Sequence, residues 1–264
     1  MALVSIPIAG VALQNIDLIY LAQPLVVTAV AVLLVLYWRK RRSLTWWVLL
    51  YSLAAYAIAI IAKTVFQLFT ASAVASTGSL AAMGAYLGLQ TVALEVGLAY
   101  AFARVAISKG RMSRKDASGY GIGLAFWENG VLLGALSAVN LAALYLTLGA
   151  GGAAASAAFA SVSSTQPALL YSASQALPSV LLGMLERMSS VMLHAAWGFL
   201  AFLAAFYKRR RYLFAALPMG LVDSLVVLSG VIGTAPLEAL IFAVALASVA
   251  VAWWASRDAG RARA

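Results

Sequence analysis

The 264-residue chain carries eight acidic side chains and one histidine. Several of them fall inside long apolar runs, where an ionised group near the bilayer centre costs about 2.5–3.5 kcal/mol on insertion scales. The densest set is Glu186-Arg187-x-x-Ser190-x-x-x-His194, within a hydrophobic run from Leu177 to Phe206. On an ideal helix Glu186, Ser190 and His194 advance in steps of four along one side, while Arg187 points elsewhere. Glu186 and His194 are then about 12 Å apart along the axis, too far to hold one metal ion together but placed to line one cavity at two depths. Because His194 is the only imidazole, any imidazole chemistry, whether proton transfer or metal ligation, falls to it. Other apolar runs carry Glu95, Glu128 with Asn129 beside it, and Asp223. Carboxylates in such a setting act as a general base for water, as metal ligands or as proton-relay stations. Glu128 has no basic residue near it in sequence, so it requires a proton or a partner on another helix.

The elements that position these groups follow from composition. With 64% hydrophobic residues, 10% charged and a mean hydropathy of +0.97, there is too little polar surface to cover a water-soluble globule. The chain reads as a polytopic, all-α transmembrane bundle. The net charge of +10 is gathered in four juxtamembrane clusters, Arg39 to Arg42, Lys109 to Lys115, Lys208 to Arg211 and Arg257 to Arg263. That is the pattern of cytoplasmic loops against anionic lipid and excludes a nucleic-acid partner. The lack of cysteine excludes disulfides, thiolate zinc sites and cysteine nucleophiles.

Hydropathy places spans at about Asp17 to Trp38, Leu44 to Phe69, Leu80 to Ile107, Ala117 to Leu148, Leu177 to Phe206, Tyr212 to Ile232 and Pro236 to Ala255. Seven spans with the N-terminus outside put all four basic clusters on one side, which even counts do not, and six or eight spans are the alternatives if Met1 to Leu13 forms part of a re-entrant element. The reading is one transmembrane domain over 1–264 in the cell membrane, with an outer segment at 1–16, an outer Gly/Ala/Ser-rich loop at 149–178 and a basic cytoplasmic tail at 256–264. Residues Met1 to Leu13 lack the cationic start of a cleaved signal peptide and are expected at the outer interface or as a re-entrant element. Gly119 and Gly123 share a face that admits a close neighbour. Lys63 either snorkels outward or plays a polar role inside the bundle, Arg104 reads as a snorkelling anchor, and Glu238 as a helix-dipole partner at the interface. Counted from the span ends, Glu95, Glu128, His194 and Asp223 share a depth near mid-bilayer, with Glu186 nearer the outside.

The segment from Glu186 to His194 resembles the ER-x-x-A-x-x-x-H segment of the YhfC-like intramembrane peptidases, relatives of the CAAX-protease and bacteriocin-processing superfamily. Gly121-x-Gly123-Leu124-Ala125-Phe126-Trp127-Glu128 is similar to that family's G-x-G-H-G-G-x-E segment, and Asp223 to the aspartate of its H-x-x-x-D segment. Two family histidines correspond to Leu124 and Met219, and an adjacent double glutamate is represented by Glu95 followed by Val96.

The resemblance implies a divergent member that hydrolyses peptide bonds of membrane substrates with a glutamate-activated or metal-bound water. Glu128 or Glu95 is then the base, His194 polarises the carbonyl or completes the site, and Glu186-Arg187 acts electrostatically or pairs structurally. Asn129 and Asp223 are expected to bind substrate. A single divalent ion such as zinc would have His194 and carboxylates such as Glu128 as ligands, one imidazole rather than several. The expected partners are the lipid bilayer and a membrane-protein or peptide substrate. A proton-coupled transporter relaying through Glu95, Glu128, Asp223 and His194, and a catalytically inactive binding protein of the same fold, are the alternatives. No inverted repeat relates the two halves, which counts against the transporter.

Overall fold

The computed structural model describes the backbone of residues 4–8, 11–16 and 18–261 and the side chains of residues 18–259. Two short strands, β1 (Val4–Ile8) and β2 (Val11–Ile16), form an antiparallel hairpin with Ile6 opposite Leu13 and Ile8 opposite Val11. Everything after the hairpin is helical or connecting turn. Among the described residues seven helices are long and apolar enough to cross a membrane: α1 (Leu18–Lys40), α2 (Trp46–Ala75), α3 (Leu80–Ser108), α4 (Arg114–Ala150), α6 (Ala173–Tyr207), α7 (Arg210–Ile232) and α8 (Thr234–Ala259). The expected tail continues α8 to Arg261; Asp17 and Arg263 lie outside the described residues.

Local chemistry sets the helix starts. Thr45 accepts from the Val48 amide and Ser79 from the Ala82 amide, each satisfying a free N–H of a first turn, and Ser113 with Asp116 forms a capping box before α4. The basic loops are clamped on one face. Arg39 lies 5.1 Å over the Trp46 ring and Arg111 4.2 Å over Trp47, while Arg211 pairs with Asp258. Large apolar side chains such as Leu33, Leu68, Phe69 and Leu146 remain exposed around the bundle, as a lipid-facing surface requires.

One stretch departs from expectation. The loop read over 149–178 contains a fourteen-residue helix, α5 (Gly152–Thr165), and α6 already begins at Ala173. Its run of alanines has the highest helix propensity of any residue type, and Phe159 packs beside buried Ala155 against Tyr145 and Leu148 of α4.

The bundle is built around α6. In its most apolar stretch 72% of residues are buried, against 22% to 33% in the other six spans, and it packs on α1, α3, α4, α7 and α8. The α4–α6 crossing depends on absent side chains: a Cβ on Gly198 would stand 2.8 Å from Gly121 Cα and 2.6 Å from Leu124 Cδ1. Backbones this close bring the outward-leading turns of both helices together. Glu128 lies two turns from Gly121 and His194 one turn from Gly198. Gly119 and Gly123 do share a face, Gly119 against Ser43 in the loop before α2 and Gly123 against Ser52 of α2.

Candidate active site

Two of the site's glutamates sit on π-helical turns. Thr91–Val96 of α3 and Phe126–Leu136 of α4 are wound with the wider i to i+5 pattern, which rotates each following side chain relative to an α-helix. Glu95 and Glu128 project from these turns toward His194 on α6. On α7, Pro218 and Gly220 precede a 3-10 stretch, Leu221–Leu228, that carries Asp223. Gly84 and Gly88 of α3 meet Ser224 there, drawing α7 close enough for Asp223 to reach Thr91.

Four spans therefore converge. His194 Nε2 lies 3.4 Å from Glu95 Oε2 and in direct contact with Glu128 Oε2. One ligand atom from each of Glu95, Glu128 and His194 lies within 4.8 Å of the others. The imidazole is oriented from its far side: Nδ1 lies 2.9 Å from the Ser190 carbonyl, one turn back, and 3.3 Å from Ser190 Oγ. A carbonyl can only accept, so Nδ1 carries hydrogen and a neutral ring presents the Nε2 lone pair to the carboxylates. Trp197, with ring centroids 4.1 Å away, and Tyr56, edge-on at 6.5 Å, wall the ring in.

Lys63 of α2 is the cation inside this group. Its Nζ donates to Glu95 Oε1 at 2.8 Å, Asp223 Oδ2 at 3.0 Å and Thr91 Oγ1 at 2.8 Å, so it points into the bundle rather than outward. Thr91 also donates to Asp223. Glu95 is thus pinned from two sides. Glu128 meets fewer groups: its Oε1 is 3.4 Å from the Ser190 hydroxyl, and its Oε2, shut off from solvent, meets His194 Nε2.

Lys63, Glu95, Glu128, Ser190 and His194 line a cavity of about 290 Å³ that Glu186, Arg187 and Asp223 also border. Glu186 and Arg187 pair with each other. Together with Leu133 they also line an adjoining cavity of about 870 Å³, formed with Gln23, Ser137, Asn140 and Gln166 between α1, α4 and α5. The ion pair stands where the two spaces meet. Asn129 is not brought in: it is fully buried, its Nδ2 turned toward the Ala125 carbonyl, and it lies away from the cavity lining. Glu238, expected at the interface, is buried, with Oε2 lacking a hydrogen bond among the described residues. Thr91 and Tyr56 had no sequence signal, being ordinary polar and aromatic residues within apolar helices.

A family profile described as YhfC intramembrane metalloprotease matches residues 26–243. The chain belongs to that family. No curated protein and no solved structure matches it. Membership supports an intramembrane peptidase-like role in a multi-pass membrane protein, and the matched range contains every residue of the converging group. Within the YhfC fold, Leu124 and Met219, the two apolar positions noted in sequence, are both buried in the main core.

Proposed function

We propose that this chain is a divergent YhfC peptidase that hydrolyses peptide bonds of membrane-embedded substrates, with Glu128 as the base that takes the proton of the attacking water. The observation that carries this reading is the meeting of Glu95, Glu128 and His194, from three spans, at the edge of one cavity. Between the two candidate bases, partner geometry favours Glu128. Glu95 already accepts from the Lys63 ammonium, whereas Glu128 has no lysine or arginine partner among the described residues and meets only His194 and the Ser190 hydroxyl.

The donor set fits a divalent ion. A neutral imidazole lone pair and two carboxylate oxygens repel one another unless a cation or proton lies among them. Around the pocket, Glu95, Glu128 and Asp223 against the single ammonium of Lys63 leave two negative charges without a partner, the charge that a divalent ion brings. His194 Nε2 and Glu95 would hold a zinc-like ion with Glu128 beside it as the base, and such an ion would supply Lewis acidity toward the peptide carbonyl and acidify water. The chain's own contribution is positional. Ser190 fixes the imidazole tautomer, Lys63 and Thr91 fix Glu95 and Asp223, and Trp197 and Tyr56 exclude bulk water. The larger cavity beyond Glu186-Arg187, with its uncharged hydrogen-bonding groups, gives an unwound substrate segment a route to the site.

The test is cleavage of transmembrane reporter peptides in proteoliposomes. Wild type is expected to cut and Glu128→Gln to lose at least about a hundredfold in rate, with both variants folded by thermal melt. Equal cleavage by the two removes Glu128 as the base.

A further inference from the structure

On the face that carries the basic loops, far from the carboxylate site, a cavity of about 510 Å³ lies among the ends of α3, α6 and α7. Arg104, Lys208 and Arg210 line it, and no acidic residue does. Some other cations of this face are engaged, Arg39, Arg41, Arg111 and Arg257 on aromatic rings and Arg211 with Asp258. Lys40, Arg42, Lys109, Arg114, Lys115 and Arg209 have no ring or ion-pair partner among the described residues and line none of the three cavities. The three around the cavity have neither an acid nor a ring partner among the described residues. The remaining wall is apolar, from Ile107, Phe206 and Leu213, with the Tyr100 ring.

A backbone observation points the same way. Lys208 ends α6 in the left-handed conformation, φ 54° and ψ 34°, where glycine is the usual occupant of a helix end. A side chain kept there at a conformational cost indicates that the side chain has a use. Arg42 is the other non-glycine residue with positive φ among the described residues, but it lines none of the cavities described above.

We propose that this cavity binds the phosphate headgroup of an anionic phospholipid, with Arg104, Lys208 and Arg210 around the phosphate and Tyr100, Phe206 and Leu213 toward its acyl chains. Position favours lipid over a soluble anion. Arg104 lies one turn inside the end of α3 and Arg210 opens α7, so the charges sit at headgroup level, while Tyr100, one turn deeper than Arg104, and Phe206 and Leu213, on the span side of Lys208 and Arg210, continue the wall toward the hydrocarbon. The site ties three spans together on the face opposite the α5 cavity, and it does not depend on peptidase activity.

Native mass spectrometry of the full chain in neutral detergent tests this, with dioleoylphosphatidylglycerol and dioleoylphosphatidylcholine added in turn. Three cations at an anionic headgroup, each contributing about fivefold, predict a preference for the glycerol lipid on the order of a hundredfold. The triple variant Arg104→Gln/Lys208→Gly/Arg210→Gln is expected to lose most of that preference, and Arg39→Gln/Lys40→Gln/Arg41→Gln to keep it. Lys208→Gly alone separates binding from folding: relief of the positive φ keeps or raises the lipid-free melting temperature, while the upward shift on adding phosphatidylglycerol shrinks. Equal losses in the two triple variants, or no preference in wild type, would overturn the proposal. Displacement of the lipid by equimolar inorganic phosphate would overturn the lipid assignment in favour of a free anion.

Discussion

Replacing Lys63 with methionine removes the ammonium that Glu95, Asp223 and Thr91 share, and leaves two carboxylates facing each other inside the bundle. The Glu95 side chain is 8% exposed and that of Lys63 17%, so this pair is largely shielded from water. Asp223, at 36%, is screened more, and its share is discounted accordingly. Breaking one buried pair by removing a single partner costs about 3–5 kcal/mol, and with the Asp223 share discounted the expected loss is about 3 kcal/mol. The assay is reversible unfolding in mixed micelles, followed by far-ultraviolet circular dichroism. The double variant Lys63→Met/Glu95→Gln should recover most of the loss, because no uncompensated charge is then left at Glu95. A loss below about 1 kcal/mol in the single variant, or no recovery in the double, would mean that Lys63 does not hold the site together.

Further outcomes follow from the same geometry. Gly198→Leu drives a side chain into the Gly121 backbone and should destabilise by at least about 1–3 kcal/mol, with loss of peptide cleavage, read by the same unfolding titration and the reporter assay. Ser190→Ala removes only long contacts and spares the backbone carbonyl that orients His194, so cleavage should fall less than about tenfold; a hundredfold fall would assign the hydroxyl a direct role. Since the chain has no cysteine, Ser190→Cys gives a single label site. Its reaction with a water-soluble maleimide should quicken when Arg187→Ala opens the constriction between the two cavities, and an unchanged rate would deny that the ion pair restricts access.

Much of this organisation is legible in the sequence. The spans follow from hydropathy and the basic loops, since a bilayer imposes a length and an orientation on every apolar run. The convergence of Glu95, Glu128 and His194 is foreshadowed by three costly groups at one depth. The partners of Lys63 are not legible: Asp223 is 160 residues away, and the pairing depends on glycine contacts between α3 and α7 that hydropathy does not encode. Nor are the π-turns under Glu95 and Glu128, because periodicity arguments assume 3.6 residues per turn. Asn129 shows the consequence: adjacent to Glu128 in sequence, it is turned away from the cavity into the packing of its own helix. The stretch at 149–178 looked like loop because glycine and serine dominate its ends, and its alanines outweighed them.

The central claim is that His194, Glu95 and Glu128 form one ion-binding peptidase centre. Equilibrium zinc binding to the purified chain, measured against a chromophoric chelator, tests it most directly. One ion per chain is expected for wild type, with loss of that binding in His194→Gln and in Glu95→Gln and loss of cleavage when the ion is stripped. Stoichiometric binding that survives both substitutions, or cleavage that persists without the ion, would contradict it.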